Sequence, residues 1–164
     1  MLCTFGYLGD HLAAQENWEE CNAIIESNFS GAVSILNIIA NALERKGSGI
    51  IVGVSSVAGY RGRQSNYLYG SAKAGFTAYL SGLRNRLYHS NVHVVTVNPG
   101  FVATKMTEGL KLPPLLTARP EQVAKSIFIA VERKRNVIYV LPVWRWIMFV
   151  IGLIPESVFK KLRL

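Results

Sequence analysis

Two runs constrain this chain more than anything else in it: Ile50-Ile51-Val52-Gly53-Val54-Ser55-Ser56 and Val92-His93-Val94-Val95-Thr96-Val97-Asn98. Both are short, β-branched and apolar with little alternation. That is the pattern of a strand covered on both faces, not of one with a wet side. The stretches between them read as helices. From Glu16 to Arg45, Trp18, Cys21, Ile25, Phe29, Val33, Leu36 and Ile39 recur at helical spacing, and Gly47 and Gly49 close the run. A second helix is predicted over 67–88. A third runs from Pro120 to Arg133, with proline at its start and Glu121 in its first turn. Residues 1–10 read as a strand end followed by a Gly-punctuated loop. Asn136 to Leu141 reads as a last strand, and Trp144 to Leu164 as a helical tail. The strand at 92–98 is expected to stop at Pro99-Gly100, with a long loop over 101–118. Apolar strands alternating with helices mean a parallel sheet covered on both faces. Ligands of such sheets bind beyond the carboxyl ends of the strands. There the chain places Ser55-Ser56 and Asn98-Pro99-Gly100.

Composition narrows the function. The chain has 164 residues, enough for one modest domain, with half of them apolar and 17% charged. That excludes a disordered or repeat-built chain. The net charge of +8 favours anionic partners. However, no Lys/Arg run is longer than Arg133-Lys134-Arg135 and no aromatic-interleaved basic stripe occurs, so nucleic acid is not the expected partner. Cys3 and Cys21 lack CxxC spacing and His11 completes no ligand set. They read as free thiols, and no metal site is expected. The first residues lack a basic n-region and a long apolar h-region. The apolar stretch Trp146 to Ile154 is too short to span a bilayer, which takes ~20 residues. The expected location is cytoplasmic, with peripheral contact at the inner membrane face left open.

The chemistry centres on Tyr69-Gly-Ser-Ala-Lys73. At i, i+4 on a helix the phenol and the ammonium share one face. A phenol titrates near 10, too high for acid–base work at neutral pH, and a nearby cation pulls it down. Ser56 follows a buried strand, where its hydroxyl can donate to a carbonyl oxygen. Asn28 lies inside the long helix, an unfavourable place for an amide that competes for backbone groups. It reads either as a helix irregularity or as a water-holding kink in a proton relay from Lys73.

Taken together, VSSVAGYRGRQSNYLYGSAKAGFTAYLSGLRNRL and VNPGFVATKM resemble the short-chain dehydrogenase/reductase family. The resemblance implies a Rossmann-like fold, an NAD(H) or NADP(H) cofactor with NADP(H) slightly favoured, and a small carbonyl or alcohol substrate. It also implies a homo-oligomer when the protein is intact. It maps the family's catalytic tetrad onto Asn28, Ser56, Tyr69 and Lys73. Cofactor contacts map onto Tyr69 and Lys73, onto the Pro99-Gly100 turn, and onto Val102 and Thr104. A closer likeness, in SSVAGYRGRQSNYLYG, GLRNRLY, PGFVATKMT and the C-terminal IYVLPVWRWIMFVIGLIPESVFKKLRL, runs to a bacterial subgroup that includes decaprenylphosphoryl-2-keto-ribose 2-reductase. That subgroup handles a keto sugar on a polyprenyl phosphate.

The family's Gly-rich TGxxxGxG turn does not occur in these residues. The register of its Asn-x-Ala-Gly element falls on Cys3-Thr4-Phe5-Gly6, where only Gly6 matches. Gly6 is therefore the remaining cofactor-side candidate. The expected architecture is the C-terminal part of a doubly wound parallel sheet without its N-terminal Gly-rich βαβ half, lacking roughly the first 80 residues of a family member. Residues 1–143 are the expected partial domain and 144–164 an amphipathic helical tail. The tail either docks on the core or a dimer partner, or lies at an anionic membrane surface with Lys160, Lys161 and Arg163 on the lipid. The main reading is an NAD(P)-dependent carbonyl reductase or alcohol dehydrogenase. The second is a catalytically inactive fragment that binds a membrane or a partner. His89 and His93 read as surface or packing residues. Arg61 and Arg63 are either solvated or face a substrate phosphate. Met106 and Leu110 read either as lid contacts or as ordinary loop packing.

Overall fold

The computed structural model describes residues 1–163. Its strands, in chain order, are β1 (Leu2–Cys3), β2 (Gly49–Val54), β3 (Val92–Pro99), β4 (Phe101–Val102), β5 (Thr117–Ala118) and β6 (Val137–Val140). Four of them form one parallel sheet in the order β1-β2-β3-β6, with Ile51 opposite Val94 and Val97 opposite Ile138. The lack of alternation in β2 and β3 has the expected consequence. Ile51 and Val94 pack with Leu36, Phe76 and Leu80 on one face, whereas Val52, Val95 and Val97 pack with Ala130 and Val140 on the other. Each fully buried aliphatic side chain contributes about 1.5–3 kcal/mol over an exposed one.

The connections supply the covering layers. Ala13–Glu16 (α1) and Trp18–Ile25 (α2) lead through a π turn at Glu26–Ser30 into Gly31–Lys46 (α3). Tyr67–Leu87 is α4 and Pro120–Glu132 is α5. Helices α3 and α4 cover one face and α5 the other, so the sheet is doubly wound. Toward β1 the α5 side is open: Leu2 is 50% exposed and Ile50 37%, and both line a cleft that continues to the carboxyl ends of the strands.

Three expectations need correction. The first helix buries Cys21, Ile24, Asn28, Ala32, Leu36 and Ala40, and Trp18 is exposed. The π turn adds a residue to one turn and so rotates α3 relative to α2. Alanines then sit at the centre of the contact, with Ile25, Phe29, Val33 and Ile39 half-buried beside it. Of the 29 residues in Trp18–Lys46, whose length and apolarity would suffice to cross a membrane, the inner face is core. Second, β3 does not stop at Asn98. It runs through Pro99, paired with Val140, where the strand's last residue has no need of the missing N–H. Third, residues 101–118 are not all loop, because β4 and β5 pair in parallel at its two ends.

The tail folds back. Val143–Leu153 (α6) is followed by a break and by Glu156–Phe159 (α7). Trp144 and Met148 are buried against Val57, Phe101 and Leu116, whereas Trp146 is 67% exposed. Arg61 fixes this arrangement. Its guanidinium donates to Ile151 O (2.7 Å) and Ile154 O (2.6 Å), pairs with Glu156 (2.7 Å) and stacks 3.7 Å over the Phe159 ring. The carbonyls left over at the end of α6 are thereby capped. Arg61 is a structural clamp and not a solvated or substrate-facing residue. Cys3 and Cys21 are buried free thiols.

Candidate active site

The cleft at the carboxyl ends of β1, β2 and β3 measures about 810 Å³. Ser56, Tyr69 and Lys73 all line it, together with Gly6, Pro99, Gly100, Val102 and Thr104. Asn28 lies just behind Gly6.

The spacing on α4 does what i, i+4 spacing does: Lys73 Nζ is 5.8 Å from the centre of the Tyr69 ring. Ser56 is brought to the same place by an interlock. After β2 the chain makes a single 3₁₀ turn, Val57–Gly59, with the Ser56 hydroxyl accepting from Ala58 N (3.1 Å). A Cβ on Gly59 would fall 2.6 Å from the backbone nitrogen of Ala74, so only glycine lets this turn lie flat on α4. Ser55, the neighbouring hydroxyl, is structural. It donates to Lys73 O (3.0 Å), lies 2.6 Å from the Thr77 hydroxyl, and so ties β2 to α4.

Lys73 is 2% exposed, yet among the described residues no carboxylate faces it. Its ammonium donates to Phe5 O (3.0 Å) and Val54 O (3.2 Å). An ammonium has three donors, so one remains for the cleft. Burial pulls its pKa down to about 8, with a smaller opposing pull from Cys3. Burial also raises Tyr69, and contact with the Ser56 hydroxyl pulls it part of the way back. The expectation that Lys73 depresses the phenol is thus not met in this structure: desolvation dominates, and Ser56 is the group that opposes it.

Asn28 stands inside the π turn, closed by Gly31 N–H on Glu26 O. Its amide donates to Tyr7 O (2.6 Å) and Ile24 O (2.8 Å), and accepts from Tyr7 N (3.3 Å). Asn28 therefore staples segment 5–7 to the helix, and Lys73 holds the same segment through Phe5 O. Gly6 is the contact point. A Cβ there would sit 3.6 Å from Asn28 Oδ1, 3.8 Å from Lys73 Nζ and 3.2 Å from Met106 Cε. The backbone of residues 5–7 as the link between Asn28 and Lys73 was not legible in the sequence, because carbonyl groups carry no sequence signature.

Pro99-Gly100 was expected to matter as a turn. The structure shows a different reason for the glycine: a Cβ at Gly100 would fall inside the indole of Trp144, which also donates to Leu116 O (3.1 Å). Trp144 is thus a cleft-wall residue that sequence reasoning assigned only to the tail. Beyond it Val102 lies in β4, and Thr104 is exposed at the start of the Lys105–Thr107 turn. Thr107 holds that turn by donating to Val102 O (2.6 Å). Met106 reaches from the turn towards Gly6, and Leu110 lines the same cleft. His93 lies against Arg135 O at the opposite, amino end of β3.

Two buried amide oxygens lack a donor among the described residues: Asn98 Oδ1 at the end of β3 and Asn66 Oδ1 at the start of α4. Asn66 and Arg63 both line the cleft.

Residues 6–113 match the short chain dehydrogenase family. The chain is 36% identical over 158 residues to an uncharacterised oxidoreductase of Mycobacterium tuberculosis, covering 96% of this chain and 63% of that protein. It is 32% identical over 135 residues to a 3-oxoacyl acyl-carrier-protein reductase of Synechocystis, covering 77% and 55%. It superimposes with TM-score 0.83 on a short chain dehydrogenase from Burkholderia cenocepacia in complex with NADP, at 20% identity over 99% of this chain and 68% of that one. A 3-oxoacyl acyl-carrier-protein reductase from Brucella melitensis in complex with NAD gives TM-score 0.70 at 22% identity, over 86% and 64%. The chain has a doubly wound α/β sheet with a Ser, a Tyr and a Lys at its carboxyl edge, and it belongs to the short-chain dehydrogenase family. It spans just under two thirds of the length of curated relatives that it matches over nearly its whole length.

Proposed function

We propose that the chain carries the catalytic corner of an NAD(P)-dependent oxidoreductase that interconverts a carbonyl compound and an alcohol. The observation that supports this is the convergence of Ser56, Tyr69 and Lys73 on one cleft, with Asn28 stapled behind them. The residues present fit the nicotinamide-ribose side of such a cofactor. Lys73 has one donor left over, and Pro99, Gly100, Val102 and Thr104 border the same open space. When bound, the nicotinamide ring supplies or accepts the hydride. Tyr69 gives a proton to the nascent alkoxide in reduction and takes it back in oxidation. Ser56 donates to the same oxygen and holds it. Lys73, titrating near 8, would hold the ribose with its remaining donor. Asn28 keeps Phe5 O and Gly6 in place beneath it. NADP(H) is slightly favoured over NAD(H); the structural neighbours include complexes with NADP or NADPH and one with NAD.

The finer reading is a keto sugar carried on a polyprenyl phosphate, reached from the cytoplasmic face of a membrane. It is favoured by the outer side of α6. Trp146, Phe149, Val150 and Leu153 are all more than half exposed there, and Arg145, Lys160 and Lys161 lie close by in sequence. Interfacial aromatic groups and cations suit an anionic bilayer surface.

The test is dinucleotide-dependent reduction of a ketone panel by the full-length protein, followed through nicotinamide absorbance. Turnover that collapses in Ser56→Ala is expected. No turnover of any carbonyl or alcohol, with dinucleotide shown to be bound, would refute this reading. These 164 residues alone should bind NAD(H) and NADP(H) weakly, since they hold no Gly-rich turn to seat the pyrophosphate at a helix N-terminus. Tight binding in a calorimetric titration would contradict that.

A further inference from the structure

Segment 4–12 joins β1 to α1 and runs across the catalytic corner, where Thr4, Phe5, Gly6 and Leu8 line the cleft. Its inner side is held by Lys73, through Phe5 O, and by Asn28, through both backbone groups of Tyr7. Its outer side is held from α2 by Glu20, whose Oε1 accepts from Tyr7 Oη (2.9 Å) and from Asp10 N (2.9 Å). Glu20, Ile24 and Asn28 stand at i, i+4 and i+8, so they form one ridge along α2 and the π turn. The segment crosses that ridge residue by residue. Glu20 meets Asp10 and the Tyr7 hydroxyl. Ile24 meets Gly9, whose φ is +69° and where a Cβ would fall 2.5 Å from Ile24 Cγ1 and 2.8 Å from Glu20 Oε1. Asn28 meets the Tyr7 backbone, and its own amide is fixed by Ile24 O (2.8 Å). Tyr7 is thus bolted at both ends, two residues from the carbonyl that takes the Lys73 ammonium.

The position of Phe5 O matters because no ladder fixes it: β1 ends at Cys3, and the residues after it are irregular. What seats this carbonyl is the side chains that grip the segment. A carboxylate that accepts a backbone N–H and a phenol O–H makes charge-assisted bonds, roughly twice as strong as neutral ones. Without that carboxylate the Asp10 N–H and the Tyr7 hydroxyl lose their acceptor, and the segment is free to lift from the ridge and admit water to the Lys73 ammonium. We propose that Glu20, acting through Tyr7 and Asp10, is a positioning residue for Lys73: it seats segment 4–12 on α2 so that Phe5 O stays on the ammonium and water stays off it. For its effect on rate the inference rests on the carbonyl–alcohol reading, and it adds to that site a residue that does not line the cleft.

The test follows the Lys73 side chain itself, through the pH dependence of its Cε and Nζ magnetic resonance signals in lysine-labelled protein without dinucleotide. The signals are identified by their loss in Lys73→Met. In the parent the midpoint lies near 8, because burial holds it down. Glu20→Ala should raise it by about half a pH unit or more, since water admitted by the loosened segment relieves that burial and replaces Phe5 O as acceptor. Loss of a carboxylate charge alone acts in the opposite direction, so Glu19→Ala, which removes a neighbouring charge and none of these bonds, should lower the midpoint slightly or leave it. Glu20→Gln keeps an oxygen acceptor and should return the midpoint most of the way to the parent's. Tyr7→Phe removes one of the two bonds and should fall between. Tyr69 on α4 and Cys3 on β1 are the titrating groups beside Lys73, and both are present in every variant. In turnover by the full-length protein, kcat should fall about tenfold in Glu20→Ala and recover in Glu20→Gln. An unmoved or lowered midpoint in Glu20→Ala overturns the proposal, and so does a Gln variant that behaves like the Ala variant. Should Glu20→Ala fail to fold, an unmoved midpoint in Tyr7→Phe overturns it instead. A midpoint that moves as described in a protein that reduces no ketone means that the carbonyl–alcohol reading has failed and the positioning has not; turnover with an unmoved midpoint means the reverse.

Discussion

Two cations, Lys73 and Arg61, do the same thing in different parts of the molecule, and the contrast shows what makes a site. Each reaches across the fold to donate to two backbone carbonyls. Arg61 does it at the surface end of α6, beside Glu156 and over Phe159, so charge, hydrogen bonds and ring are all matched. Lys73 does it at the carboxyl edge of the sheet, with no carboxylate in reach among the described residues and one donor left over. The first arrangement is closed and locks the tail. The second is open and desolvated, and its proton is held loosely enough to titrate in the range where enzymes work.

The contrast can be broken first at the chemistry. On the proposed function, Tyr69→Phe should cut hydride transfer by roughly 10²–10⁴-fold while largely sparing dinucleotide binding. Single-turnover rates near the parent value would remove Tyr69 from the mechanism. Lys73→Ala should instead damage rate and cofactor affinity together.

Next in size is the buried tryptophan of α6. Trp144→Ala empties the space above Gly100 and should cost about 3–5 kcal/mol, read as a lowered midpoint in denaturant. A loss under about 1 kcal/mol would show that α6 does not hold the cleft wall.

Lys73 offers a pH test of comparable size. Its folded pKa, about 8, lies below the ordinary 10.5. Between those values the unfolded chain binds more protons than the folded one, so stability rises with pH through that window. Below pH 8 the whole penalty is present. Above 10.5 it is gone. The shift corresponds to about 3 kcal/mol. The stability difference between parent and Lys73→Met should therefore move in the parent's favour from pH 8 to pH 10.5. A flat difference would mean that Lys73 is not desolvated as described. Cys3 and Tyr69 face the same corner and titrate in both proteins, so the comparison subtracts them only in part.

Arg61→Gln should lower stability by about 1–3 kcal/mol through the uncapped carbonyls of α6. Limited proteolysis should then cut first after Leu153.

The smallest expected change in stability is at Trp146. Trp146→Ser should leave the melting temperature almost unmoved, because the ring is 67% exposed. The same substitution should weaken sedimentation with anionic vesicles in a salt-independent way, whereas Lys160→Gln with Lys161→Gln should weaken it only at low salt. Failure to sediment with anionic vesicles at low salt would remove the membrane reading of the tail.

Much of this was legible in the chain. Two unalternating β-branched runs point to a parallel sheet covered on both sides, which holds along β3, whereas the α5 side is open toward β1. The Tyr69–Lys73 spacing determines their shared face, because helical period is a local property. Glu121 and Pro120 start α5 for equally local reasons. The features that the sequence could not determine depend on atoms distant along the chain. The burial of Asn28 and Lys73 on either side of Gly6 is written in backbone carbonyls, which every residue has. The phase of the first helix turned on a single π turn, which adds one residue without a composition signal. Gly100 is needed because the indole of Trp144, far along the chain, lands on it. Trp144 and Trp146, two positions apart in one apolar run, are separated into core and surface only by the direction in which α6 leaves the sheet. Arg61 and Arg63 are alike as text. Only tertiary structure puts the end of a helix in front of Arg61 and leaves Arg63 half-buried with no side-chain hydrogen bond among the described residues, and a charged group's role is set by what it meets after the chain has folded.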